Sequence, residues 1–223
     1  MSATSAAPAT GFYRATIGKK VVMAVTGLIL AGFVVVHMAG NLGIFRGAES
    51  FNHYAQLLRI SMPLLWTARL ILIAAVVFHV RAALQLYALK AAARPIAYAK
   101  KGYRVATLSS RFMIWTGYAL AAFIVLHILH FTTGTIHPSF VEGDVFHNVT
   151  SAFQNPLVAV AYVVCMGFLF MHLRHGLYSL TQSLGLSHPR YVKLVKVIAT
   201  LVAAAVAAGF AAVPLAVLTA IVK

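Results

Sequence analysis

Residues 21–42, VVMAVTGLILAGFVVVHMAGNL, contain no acidic or basic residue other than one histidine, His37. A run of ~20 apolar residues is long enough to cross the hydrocarbon core of a bilayer as a helix. An imidazole inside such a helix is costly and marks a functional site by default. With Lys20 at its edge, this stretch reads as a first span over 20–42 rather than a cleaved leader, because it is longer than a signal core and holds His37. Three further spans follow the same plan: 63–89 with His79, 111–134 with His127 and 156–184 with His172. A fifth, 190–222, is rich in Ala and holds no His; Pro214 falls inside it and is expected to kink it. The sequence therefore predicts an all-α membrane protein of five transmembrane helices, with a tail over 1–18 and a single membrane domain over 19–223.

Composition agrees. Of 223 residues, 61% are hydrophobic and 9% charged, and the net charge is +15. That charge does not point to nucleic acid, because the basic residues flank apolar spans and so orient the chain in a lipid membrane. The acidic residues Glu49, Glu142 and Asp144 all fall between spans, and Cys165 is the lone cysteine. One thiol cannot hold an iron–sulfur cluster. Within the segment between the first two spans, 51–60 reads as a short amphipathic interfacial helix.

The histidines sit at matched depths. His37 follows Lys20 by 17 residues, His127 follows Arg111 by 16, His79 follows Pro63 by 16 and His172 follows Pro156 by 16. At ~1.5 Å per residue each lies ~24–26 Å along its helix. Alternate spans run in opposite directions, so His37 and His127 share one level, and His79 and His172 share the other. In a core ~30 Å thick the levels should lie roughly 10–20 Å apart. Two facing imidazoles suit the axial positions of a haem iron, and the pattern reads as a di-haem membrane cytochrome b.

Fourteen of the 18 Lys and Arg fall on one side: Arg14, Lys19, Lys20, Arg81, Lys90, Arg94, Lys100, Lys101, Arg104, Arg111, Arg174, Arg190, Lys193 and Lys196. Positive-inside then places the N-terminus in the cytoplasm, with His79 and His172 at the inner level. No internal repeat stands out, although spans two and four share His79-Val80-Arg81 and His172-Leu173-Arg174. Those two arginines either pair with haem propionates or snorkel to the inner surface. Depth alone leaves His130 and His175 as rivals of His127 and His172, one turn away. Gly40, Ala83 and Gly176 offer room beside the ligands. His53, His137, His147 and His188 read as solvated or interfacial. A quinone site has outer candidates in His53, Arg59, Ser61 and His130, and inner ones in His175 and Arg174.

At Trp115-Thr116-Gly117, with His127 twelve residues after the Trp, and at His172-Leu-Arg-His-Gly-Leu-Tyr-Ser, the sequence resembles a known family. That family is the single-chain, five-helix cytochrome b anchor of succinate dehydrogenase and fumarate reductase. The resemblance implies two b haems, an outer one on His37 and His127 and an inner one on His79 and His172, and it favours His172 over His175. It also implies a flavoprotein and an iron–sulfur subunit docked on the cytoplasmic face, around residues 90–104. Electrons would pass to a membrane quinone, often menaquinone with this architecture, in the cytoplasmic membrane of a bacterium. The oligomeric state stays open. Phe170 occupies the position, two residues before His172, where some members carry an intramembrane Glu; carboxylate-based proton transfer is not expected. Two rival readings remain: a di-haem subunit of another quinone-linked dehydrogenase, and a His-relay transporter, against which the unbroken spans argue.

Overall fold

The structure, a computed structural model, describes residues 11–93 and 107–223. Residues 1–10 of the expected tail, and Arg94, Lys100, Lys101 and Arg104 of the expected docking face, lie outside the described residues. Five helices are long and apolar enough to cross a membrane: α1 (Thr16–Asn41), α3 (Met62–Ala92), α5 (Met113–Phe131), α7 (Pro156–Ser183) and α8 (Val192–Leu218). Three shorter helices lie between them, α2 (Ala48–Leu57), α4 (Leu108–Arg111) and α6 (Val145–Phe153), with a 3-10 turn at Leu42–Arg46. Helix α1 starts inside the stretch read as tail.

Local chemistry sets the boundaries. Ser61 and Asn155 each stand just before a proline-containing first turn, and their side-chain oxygens accept from the Leu64 and Leu157 N–H groups. Such caps satisfy donors that the helix itself leaves free, where a proline has none to lose. Helix α8 continues through Pro214 without a break.

Four membrane helices form an open square, with little or no close backbone contact on its α3–α5 side, and the fifth lies outside it. Helix α1 packs on α3, α7 packs on α5, and α1 and α7 touch, while α8 lies against both α7 and α1. The pairs α1 with α5 and α3 with α7 are the diagonals. They make little or no close backbone contact, so the centre is bridged by side chains. Behind it, Ala203 and Val206 of α8 and Leu173 of α7 form a core against Val34, Met38 and Phe210. Gly209 lets Met38 pack close, since a Cβ there would stand 2.5 Å from Met38 Sδ and push that flexible side chain aside. Large apolar side chains such as Leu28, Val36, Leu70, Val77, Val125 and Leu201 are exposed, as a lipid-facing surface requires.

The end at which α1 starts is termed inner, the other outer. Helices α2 and α6 lie together over the outer end, where Ile44, Phe51, Val149 and Phe153 pack with Val213 and Val217 of α8. The Asn52 amide donates to Asp144 Oδ1 (2.9 Å) and Asn52 Oδ1 accepts from the Phe146 N–H (2.9 Å). Asp144 also caps α6 by accepting from the His147 N–H (2.9 Å). The His147 N–H, then the Asn52 amide, hold its carboxyl below the usual range. The expected interfacial helix is thus present, three residues earlier at its start, and α6 is an addition. Gly40, read as room beside His37, instead receives the Tyr54 ring of α2, 2.8–3.1 Å from where a Cβ would stand.

Candidate functional site

The four histidines meet across the diagonals. The His37 and His127 ring centroids are 5.9 Å apart, and those of His79 and His172 are 6.3 Å apart. Two imidazoles that share one metal through a nitrogen at ~2 Å have centroids about 6 Å apart, so both spacings fit a bis-histidine centre. All four rings are half-buried. His79 lies against Thr26 of α1, and His172 against Thr116 of α5; from those threonines His37 and His127 are each 11 residues further on. The two levels are thus ~16 Å apart along the bundle.

The inner pair has its ring protons placed. Thr26 Oγ1 donates to the Val22 carbonyl (2.7 Å), so toward His79 Nδ1, at 3.3 Å, it acts as acceptor. The Met23 carbonyl lies 3.1 Å from the same nitrogen. Thr116 Oγ1 likewise donates to the Met113 carbonyl (3.0 Å) and faces His172 Nδ1 at 3.3 Å. Both imidazoles therefore carry the proton on Nδ1, which leaves the Nε2 lone pair free for a metal.

The outer pair is framed by rings. Phe33 stacks on His37 at 5.2 Å and Phe210 is 5.6 Å away. Phe123 and Phe131 each lie 5.6 Å from His127, and Tyr162 lies 6.1 Å from it. His127 Nδ1 is buried and has no hydrogen-bond partner among the described residues. An orphaned imidazole nitrogen at this depth fits a residue whose other polar commitment is to a bound group.

His130 is buried, and its Nδ1 lies 2.9 Å from the Tyr162 hydroxyl, with the His137 ring 5.0 Å away. It faces this outer cluster, while His127 faces His37. His137, read as solvated, is buried: its Nε2–H donates to the Asn148 carbonyl (2.8 Å) and its Nδ1 accepts from the Ser139 N–H (3.2 Å). Asn148 is itself held by the Val141 N–H and carbonyl, both at 2.8 Å. The two arginines differ. Arg174 Nε donates to Thr200 Oγ1 (3.1 Å) and its Nη1 to Ser109 Oγ (3.4 Å). Arg81 is exposed, with its guanidinium 6.0 Å from the Tyr13 ring centroid. His53, Arg59 and Ser61 are exposed at the outer end.

Thr26 was not singled out by sequence, and Thr116 only as part of the Trp115-Thr116-Gly117 motif, yet a signal for both was there. Met23-x-x-Thr26-Gly27-x9-His37 and Met113-x-x-Thr116-Gly117-x9-His127 are the same pattern. Each is followed by a helix bearing His-x-Arg. The same short pattern thus recurs on α1 with α3 and on α5 with α7.

Comparison with known proteins decides the family. The family described as the succinate dehydrogenase/fumarate reductase transmembrane subunit matches residues 90–211, more than half of the chain. The chain belongs to this family. No curated protein and no solved structure matches it. The match makes the chain a multi-pass membrane anchor that associates with the catalytic subunits of a succinate dehydrogenase or fumarate reductase. It covers His127 and His172, while His37 and His79 lie outside it. The internal repeat and the diagonal contacts connect those two to this family's half of the chain.

Proposed function

We propose that this succinate dehydrogenase/fumarate reductase anchor carries two b haems and passes electrons between its catalytic partners and a membrane quinone. His79 and His172 hold the inner haem, and His37 and His127 the outer one. The observation that carries the reading is the pair of diagonal histidine contacts, at 5.9 and 6.3 Å, on two levels. Haems held by the two pairs would supply one-electron carriers at levels ~16 Å apart, about half the depth of a ~30 Å core.

The chain's own work is to hold, orient and insulate. Thr26, Thr116 and the Met23 carbonyl keep the inner imidazoles in the ligating tautomer. Phe33, Phe123, Phe131 and Phe210 surround the outer pair with apolar rings. Arg81 and Arg174 stand two residues beyond the inner ligands, where their positive charge would balance the propionates of a haem held there. The excess of Lys and Arg at the inner end supports a cytoplasmic N-terminus, and the resemblance to the five-helix anchors favours a bacterial cytoplasmic membrane. On that face a flavoprotein and an iron–sulfur subunit dock, with menaquinone as the quinone partner that this architecture favours.

The test is haem content of the complex purified from membranes, with a reduced-minus-oxidised spectrum and identification of the co-purifying subunits. About two b haems per chain, with a flavoprotein and an iron–sulfur protein, is the expected result. A preparation that holds both soluble subunits but no haem overturns the electron-transfer role and leaves a plain anchor.

A further inference from the structure

We propose that Thr26 and Thr116 are positioning residues for the inner histidine pair, each Thr-Gly dipeptide forming a seat that fixes the tautomer and tilt of the imidazole from the neighbouring helix. The inference rests on the haem reading above and gives the two threonines a role that the histidine spacing does not assign.

Hydrogen-bond logic comes first. A threonine in an apolar helix commonly donates to a carbonyl of its own preceding turn, as Thr67 does to Pro63 and Thr219 to Leu215. Thr26 and Thr116 do the same, which uses their only proton and leaves lone pairs as the sole polar offer. Unlike Thr67 and Thr219, both are buried, and both present those lone pairs to a histidine Nδ1 at 3.3 Å. An acceptor there makes the imidazole a Nδ1–H donor, orients the ring and raises the basicity of Nε2.

The glycine that follows supplies the room. A Cβ on Gly27 would stand 3.2 Å from His79 Cε1, and one on Gly117 would stand 3.6 Å from His172 Cε1. Each ring edge therefore rests on helix backbone, beside the hydroxyl that holds its nitrogen. The arrangement occurs twice, on α1 and on α5, each time 11 residues before the outer-level histidine of the same helix. Two occurrences at one offset make a chance core threonine a poor account of either. Helices α1 and α5 thus each give a ligand to one level and a seat to the other.

The experiment is a redox titration of haem absorbance in the purified complex, comparing wild type with Thr26→Val, Thr26→Ser, Thr116→Val and Thr116→Ser. The component that disappears in His79→Ala identifies the inner haem. Losing the threonine acceptor makes Nε2 a weaker donor to the ferric state, less so at His79, whose Nδ1 keeps the Met23 carbonyl at 3.1 Å, than at His172. Each valine variant should therefore keep two haems and raise the inner midpoint, while the outer one stays in place. The expected change is roughly two- to tenfold in the inner ferrous-to-ferric ratio at a fixed potential, about 20–60 mV at ~59 mV per tenfold. The serine variants should return to wild type. Loss of the inner haem in valine but not in serine variants also supports the seat. Two haems with unmoved potentials in the valine variants overturn this inference and leave the haem reading intact. Equal loss of haem in valine and serine variants also overturns it, because packing rather than the hydroxyl would then be responsible. A wild-type complex without haem overturns the haem reading, and the inference with it.

Discussion

The two histidine levels present the same pair of side chains in opposite surroundings. At the inner level each imidazole is tied through Nδ1 to a threonine oxygen on the next helix, with the Met23 carbonyl as a second partner for His79. At the outer level aromatic rings surround the pair, and the only polar side chain on it among the described residues is the Asn41 amide of the same helix as His37, 3.4–3.5 Å from the His37 ring nitrogens. His127 Nδ1 has no partner among the described residues. Hydrogen bonds fix direction, whereas ring packing fixes volume. The inner level should therefore respond to loss of single polar atoms, and the outer level to loss of bulk.

The largest test of that contrast is removal of the ligands themselves. His127→Ala and His172→Ala should each abolish one of two b-haem components and spare the other. Haem per chain, with the spectrum of the remaining component, checks this. Loss of both haems in each variant would mean that the levels are not independent.

Next is Phe131→Ala. Phe131 touches His127, His130, His137, Phe153 and Tyr162, with centroids 4.2–6.1 Å away. Because it is half-buried rather than fully buried, its loss should cost about 2–4 kcal/mol. Thermal melting of the purified complex reads the destabilisation, and the outer haem spectrum should change while the inner does not.

A finer comparison uses the two seats. In Gly27→Ala the new methyl would be tighter against His79 than ordinary contact, whereas in Gly117→Ala it would meet His172 at normal distance. The first should broaden or shift the inner haem's low-spin EPR signal, and the second should leave it close to wild type.

The smallest effect belongs to the outer cap. The N-capping Asp144→Ala should destabilise α6 by about 1 kcal/mol. Hydrogen exchange of the α6 amides would show it, with both haem spectra unchanged. The folded-state pKa of Asp144 is lowered, so its stabilisation is present above the ordinary carboxylate range and is lost as pH falls through the lowered value. Wild type and D144A should therefore converge in α6 protection at acidic pH.

The spans were readable because a ~20-residue apolar run permits few other folds, and the histidines because they interrupt such runs at equal depth. Other features depend on partners far along the chain. Burial of His137 follows from the Asn148 carbonyl, eleven residues away across a turn. Helix α6 is short and half polar, so its sequence reads as loop until α2 supplies Asn52 as a partner. The role of the threonines was hidden, although Thr116 stands in the Trp115-Thr116-Gly117 motif, because a lone Thr in an apolar helix has no periodicity. Only superposing the segments around His37 and His127 shows the repeat, and linkers of unequal length hide it. His130 was separable from His127 only once Tyr162 was seen to face it.

The diagonal arrangement also sets an order of assembly. The partners of each pair are far apart in sequence: His127 comes 90 residues after His37, and His172 comes 93 after His79. As the chain enters the bilayer span by span, its first hairpin offers one half of each pair and can complete neither. The outer pair closes only when α5 arrives, and the inner only when α7 does. Newly inserted chains must therefore pass through a stage in which bare imidazoles wait in the membrane for helices still to be made.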